Sequence, residues 1–338
     1  MKKKSQPTIY DIAKVAGFSP ATVSLALNDK GSMPDERRQI IKNLAKDMGY
    51  TPNLVAMALK GIKTKHIAIV VNYLDNAFFR SFFEGIEEIL DREGYTYSVS
   101  QTRDSLTKEK QYMEKLARQN VDGIVLLPSS DEYGHLQRIM DKGVPVVLIS
   151  HRLGNFPALE ADNYRGGQLV AEHLLKLGYP RNVHIAGPLD KSAMRDRMDG
   201  YISVMRGNAD FSLDNNIFYV DELAAAKGYN IMPEVLKKFP PPVTVFVTND
   251  EVAMGALRYC RENKLRIPED VAIAGFSNTN ILDLYDIDLT TINIPQKEMG
   301  KSAADLIMHL MDNKGGNTDG NPVVTLPVSL IVRGSTKI

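Results

Sequence analysis

From His66 onward the chain alternates short apolar runs with amphipathic segments, and this alternation constrains the fold more than any other feature. HIAIVVNY, YTYSVSQ, VDGIVLLP and VPVVLIS read as strands, with helical spacing at 82–90, 106–120 and 132–142 between them. A second set follows: strands at VHIAG, 217–220, TVFVTN and VAIAGF, and helices at 165–177, 193–206, 224–239 and 252–263. Adjacent parallel strands need a long crossover, normally a helix, so this order predicts parallel sheets covered on both faces. Two sets predict two lobes. Such sheets bind ligands beyond the carboxyl ends of their strands, and two facing lobes make a cleft that hinge motion can close.

The first fifty residues follow a different rule. TIYDIAKVAGFSPATVSLALN, residues 8–28, reads as two short helices with a tight break. Ile9, Ile12, Ala13, Val15 and Ala16 give the first an apolar face, and Gly17 supplies the left-handed turn that ends it. Ser19 is placed to cap the second helix, with Pro20 at its first position. Val23, Ala26 and Leu27 point back to the first helix, while Thr22, Ser24 and Asn28 form a polar outer face. That is the geometry that lays a second helix in a DNA major groove. A third helix opens at Pro34, Asp35 and Glu36 and buries Ile40, Ile41, Leu44, Ala45 and Met48.

Charge separates the two parts. Residues 1–66 carry twelve Lys and Arg against five Asp and Glu, a net of +7, and the remaining residues carry twenty-nine against thirty-six, a net of −7. A basic head on an acidic body predicts that the head meets a polyanion. Lys2, Lys3 and Lys4 form a basic arm ahead of the first helix. The single cysteine, Cys260, excludes an internal disulfide, and the basic N-terminus has no apolar stretch of signal-peptide type. No apolar run approaches a membrane span, so no membrane role is expected and a cytoplasmic location is.

Between the parts, TPNLVAMALKG at 51–61 has good helix formers but only about two turns, and helices this short are marginal in water. Ordering it costs about 1–2 kcal/mol per residue, so it is expected to be helical only when something holds it.

Along essentially its whole length the chain resembles the lactose-repressor/galactose-repressor family of bacterial transcription regulators. The matching stretches are residues 8–28, GYTPNLVAMALKG, VDGIVLLP, VPVVLI, TNDEVAMGAL, RIPEDVAIAGF, LTTINIP and VRGST, in that order. The resemblance implies an all-α helix-turn-helix headpiece (1–50), a hinge helix and linker (51–65), and a two-lobed α/β effector domain (66–338) like the periplasmic binding proteins. Lobe 1 is expected at about 66–161 and 294–322, and lobe 2 at about 162–293 and 323–338. Such a protein is a DNA-binding regulator, expected here to be a repressor, whose operator affinity responds to a small molecule between the lobes.

The resemblance also implies site residues. Pro20, Ala21 and Leu25 occupy the base-reading positions, and Thr8, Tyr10, Ser19, Thr22, Ser24 and Asn28 the phosphate-positioning ones. Leu25 stands where a polar side chain usually reads a base; it can touch a thymine methyl but cannot form a bidentate bond to guanine. Leu59 matches the residue that wedges into the operator's central step, and Lys60 its minor-groove neighbour. Effector positions are Phe78, Phe79, Ser129 with Ser130, Ser150, His151, Arg152, Arg197, Leu223, Asn249, Asp250 and Ser277. Ser150 and Ser277 stand where sugar binders often carry Asp. With His151, Arg152 and Arg197 this predicts a cationic cleft, and an effector with an anionic group or a modified sugar.

A homodimer on a pseudo-palindromic operator is expected, since one headpiece reads too few base pairs. The terminal VRGSTKI adds no leucine heptads of the kind that make tetramers. No cofactor or metal is expected, because the histidines lack metal spacing. An enzyme is disfavoured: NYLDNAFF after the first strand is not a Gly-rich phosphate loop, and GFSNT is not a nucleophile elbow. A solute receptor without a DNA role would leave the headpiece unexplained.

Overall fold

The computed structural model describes residues 7–50, 63–208, 210–312 and 322–337. The hinge segment with Leu59 and Lys60, and the basic arm Lys2–Lys4, lie outside the described residues. The chain divides into two compact units, Met1–Thr64 and Lys65–Ile338.

In the smaller unit, α1 (Ile9–Ala16), α2 (Pro20–Leu27) and α3 (Asp35–Asp47) surround one core of Ile12, Ala13, Val23, Ala26, Ile41 and Ala45. Thr8 and Asp11 form a reciprocal capping box at the start of α1, and Gly17 ends it at φ 71°. Ser19 Oγ accepts from Thr22 N at 3.1 Å, and Pro20 opens α2. Two expected core residues are on the outside. Val15 and Ile40 are 63% and 55% exposed, because each lies off the stripe that its helix turns inward.

The larger unit contains two six-stranded sheets with matching strand orders. The first runs β11-β5-β4-β3-β1-β2 and the second β12-β10-β9-β8-β6-β7. In the first sheet β1 is His66–Val71, β2 Thr96–Gln101, β3 Gly123–Leu126, β4 Val146–Ile149, β5 Ala158–Ala161 and β11 Val323–Leu326. In the second β6 is Asn182–Ala186, β7 Ile217–Tyr219, β8 Val243–Val247, β9 Val271–Ser277, β10 Thr290–Asn293 and β12 Ser329–Ile331. Every pair is parallel except β10 with β12. Most strands are buried throughout, which is why they read as continuous apolar runs.

The chain passes between the lobes three times: after β5, after β10 and after β11. The third crossing corrects the expected boundary. Residues 323–326 were assigned to lobe 2, yet they pair with β5 in lobe 1 from Val323↔Ala158 to Leu326↔Ala161, and only Ser329–Ile331 joins the second sheet. VVTL has strand character that suits either edge; pairing, not composition, selects the sheet. Among the described residues no helix is long and apolar enough to cross a membrane.

Candidate functional site: a DNA-reading helix and an interlobe cleft

On the smaller unit, the inner face of α2 is closed off by the buried Val23 and Ala26. Its outer face carries Ala21, Ser24, Leu25 and Asn28, at the spacing of successive turns. Thr8, Tyr10, Ser19, Pro20, Ala21 and Leu25 are exposed, Tyr10 by 74% and Leu25 by 46%; Thr22, Ser24 and Asn28 are half-buried. Thr22 Oγ1 pairs with Ser19 Oγ at 2.8 Å, and Asn28 Nδ2 donates to Ser24 O at 2.7 Å. The loop after α2 is pinned by α3: Lys42 Nζ bonds Asp29 at 2.7 Å, and Arg38 donates to Gly31 O at 3.1 Å. A rigid platform of small and short polar groups therefore faces outward beside an exposed tyrosine.

In the larger unit, the loops after β3 and β4 of lobe 1 meet the start of the helix Ser192–Met205 of lobe 2. His151 is fully buried; its Nδ1 accepts from Ser192 N at 2.9 Å, and its Nε2 faces Asp131 Oδ1 at 2.9 Å. With Nδ1 accepting, the ring is the neutral tautomer protonated on Nε2. Burial lowers its proton affinity, against the opposing pull of Asp131. Arg152 donates its backbone N–H to Ser192 Oγ and its guanidinium to Glu160 and Asp196. Lys191 Nζ reaches across to the carbonyls of Pro128 (3.3 Å) and Ser129 (2.8 Å), and lies 3.5 Å from Asp104. Ser129 is held by the buried Glu109, which accepts from its N–H at 2.6 Å and from His135. Ser130 and Ser150 are half-buried beside this contact.

Arg197 lies beneath, in lobe 2. Its Nε donates to Asn163 Oδ1 at 2.9 Å and its Nη1 to Thr248 O at 2.7 Å, and its guanidinium stacks 3.9 Å over the Phe276 ring. Burial lowers its pKa to about 9, which still leaves it charged at neutral pH. The helix can come this close because Gly167 has no side chain: a Cβ there would stand 2.2 Å from Arg197 O.

Several expected effector residues have structural work. Phe79 is buried among Phe78, Phe82 and Phe83, and of the two expected residues Phe78 is the half-buried one. Asn249 Oδ1 caps the helix Asp250–Glu262 through Val252 N. Asp250 is buried and accepts from Thr279 N (3.0 Å) and Thr291 Oγ1 (2.5 Å). Burial raises its pKa despite those bonds. Ser277, at φ 123°, offers its carbonyl to Gln296 at a crossing. Leu223 and Met194 close over Gly187, where a Cβ would stand 3.0 Å from each. Of the three residues from which a cationic cleft is expected, His151 is neutral, Arg152 is paired with Glu160 and Asp196, and Arg197 keeps its charge while donating to the neutral Asn163 Oδ1 and Thr248 O. Two surface hollows, of about 290 Å³ near Asn278 and Gln296 and about 400 Å³ near Tyr133 and Phe156, include none of the expected effector residues.

Sequence reasoning missed Lys191, Ser192, Asp196, Asp131, Asn72 and Asp104. Most stand in loops just beyond strand carboxyl ends, and the rule that ligands gather there would have marked them.

A helix-turn-helix unit with an open recognition face, on one chain with two lobes that meet at their strand ends, defines a ligand-responsive DNA-binding regulator. Comparisons with known proteins agree. Residues 8–53 match the model of bacterial regulatory proteins of the lacI family, and residues 171–336 that of a periplasmic binding protein-like domain. The HTH-type transcriptional regulator DegA of Bacillus subtilis (strain 168) is 31% identical over 97% of this chain and 98% of its own length. The structure of a transcriptional regulator CelR–cellobiose complex is 27% identical, with a TM-score of 0.73 over 97% of this chain and 99% of that one. A LacI family regulator from Enterococcus faecalis V583 with bound ribose is 28% identical, with a TM-score of 0.70 over 80% of this chain and 98% of that one. The lac repressor dimer on its operator, 24% identical, shares the fold with a TM-score of 0.83 over 99% of this chain and 100% of that one. The chain belongs to the lacI family of transcriptional regulators.

Proposed function

We propose that this regulator is a cytoplasmic homodimeric repressor without catalytic activity. It binds a pseudo-palindromic operator and changes its affinity when a sugar or sugar derivative binds between the lobes. The observation that carries the reading is the division of labour on α2: Val23 and Ala26 are sealed in the core while Ala21, Ser24, Leu25 and Asn28 are turned out. Ala21 and Leu25, with Pro20, would touch base edges, and thymine methyls are what apolar side chains read best. Thr8, Tyr10, Ser19, Thr22, Ser24 and Asn28 would hold the phosphates. Leu59 would wedge the central step, with Lys60 beside it in the minor groove.

The sugar assignment is supported by the relatives with bound cellobiose and ribose. It is also supported by the pairing of Arg152 with Glu160 and Asp196, which occupies one cation on which an anionic effector would depend. Effector binding changes the closure of lobes that already touch through Lys191, His151 and Arg152, and coupling of this kind is typically about 1–3 kcal/mol. Footprinting of the full-length protein on genomic fragments tests the reading. Protected, salt-sensitive palindromes whose occupancy changes with a sugar support it. Absence of any preferred fragment overturns it.

A further inference from the structure

β2 and β7 are the outer strands at corresponding edges of the two sheets, the edges away from the crossings. At that open edge the loops carry carboxylates from both lobes. Asp75 and Asp104 follow β1 and β2; Asp190 and Glu222 follow β6 and β7; Glu251 begins the helix after β8. They are near enough to feel one another: Asp75 and Glu222 raise the proton affinity of Glu251, and Asp190 and Glu222 raise that of Asp104, each after the larger effect of burial. Lys191 offsets part of this charge, 3.5 Å from Asp104 and 4.0 Å from Asp190, and Arg103 lies near Tyr73. Lys227, the next cation, is held by Asp221 at 2.7 Å.

One further group points to a ligand. Asn72, at the end of β1, is 92% buried; its amide nitrogen donates to Asp104, and its Oδ1 has no partner. A buried polar atom without a hydrogen bond is costly, and native proteins keep few of them. This orphan is an acceptor among carboxylates, which are also acceptors when ionised. Among the described residues no three His, Cys, Asp or Glu side chains converge as a metal site.

We propose that this rim, where carboxylates outnumber cations, recognises an effector bearing a protonated amine on a hydroxyl-rich frame, an amino sugar in class. An ammonium supplies three donors and the missing charge; hydroxyls alone supply donors and leave the carboxylates facing one another. The inference rests on the cleft being the effector site, and it replaces an anionic effector with a cationic one.

Calorimetric titration of the full-length protein without DNA tests it, using matched sets: glucose, glucosamine and glucose 6-phosphate, with galactosamine, mannosamine and their neutral parents. At least one amine binds about tenfold or more tighter than its neutral parent, the worth of one charge near carboxylates at a surface dielectric. Glu222→Gln with Glu251→Gln removes that preference. The same double variant needs no ligand for a second readout: relieving like-charge repulsion raises the melting temperature of the free protein by about 1–3 °C. Binding of a phosphorylated or neutral sugar in preference to every amine, no binding by any amine, or a double variant that melts lower each overturn the proposal. Operator binding is measured separately by fluorescence anisotropy. A protein that binds its operator but no amine loses this inference alone, and one that binds no DNA loses the regulator reading.

Discussion

At the loops after β3 and β4, charges on one lobe meet opposite charges on the other: Arg152 with Asp196 at 2.7 Å, and Arg195 with Asp131 at 3.6 Å. At the loops after β1, β2 and β7, carboxylates meet carboxylates, with Lys191 as the main cation between them. The two sides of one cleft thus have opposite electrostatics. The paired side needs nothing from solution to hold the lobes together; the unpaired side resists approach until something positive arrives. A cleft built this way can stay assembled when empty and still respond to a ligand.

The comparison can be broken at several points. Arg197→Ala has the largest expected effect, because it strips Thr248 O and Asn163 Oδ1 of a buried, charged donor and uncovers Phe276. A loss of about 3 kcal/mol in urea unfolding is expected; a loss below about 1 kcal/mol would mean that lobe 2 does not depend on this buried guanidinium. Lys191→Met removes the bonds to Pro128 O and Ser129 O that link the lobes. It is expected to cost about 1–2 kcal/mol and to enlarge the radius of gyration of the free protein in small-angle scattering. An unchanged radius would assign closure to His151 and Arg152 instead.

His151 gives a pH signature with a definite sign. Burial lowers its pKa below the ordinary 6.5. Between the two values the unfolded chain takes up a proton that the folded protein refuses, so stability is full above the unfolded pKa and declines as pH falls through that window. His66, His173 and His184 are lowered as well, so the measurement is a difference. The drop in melting temperature from pH 7.5 to pH 5.5 is expected to be smaller in His151→Gln than in the parent protein. Equal slopes would show that the ring binds its proton equally in the folded and unfolded chain, and a larger drop in the variant would show that the ring is charged in the clasp. Leu25→Ala, on the other unit, has the smallest expected effect on stability, within about 0.5 kcal/mol, and none on sugar binding. Its effect is on base preference, measured by selection of operators from a random pool.

Much of the fold was legible in advance, for local reasons. Gly17, Ser19 with Pro20, and the Thr8–Asp11 pair fix where helices start and stop through groups within a few residues. Buried parallel strands announce themselves because both faces are apolar. The site was less legible. Asn249 and Asp250, expected at the cleft, also have local structural roles that the sequence does not show: Asn249 caps a helix and Asp250 braces Thr279 and Thr291. Arg152 was counted as free charge, and Glu160, also at a buried position, binds it. Sequence shows which side chains carry charge; it does not show which ones have already met.

The amino-acid sequence by itself determined the two kinds of architecture, the strand and helix order, and a basic head on an acidic body. Those depend on periodicity, capping and net charge, which act over a few residues or sum over many. Only the tertiary structure decided that Val323–Leu326 belongs to the first sheet, that Arg152 and Arg197 are engaged by other residues, and that Asn72 Oδ1 is left without a partner. Those outcomes depend on contacts between residues from eight to more than a hundred positions apart that belong to different elements, and such contacts leave no mark in local spacing.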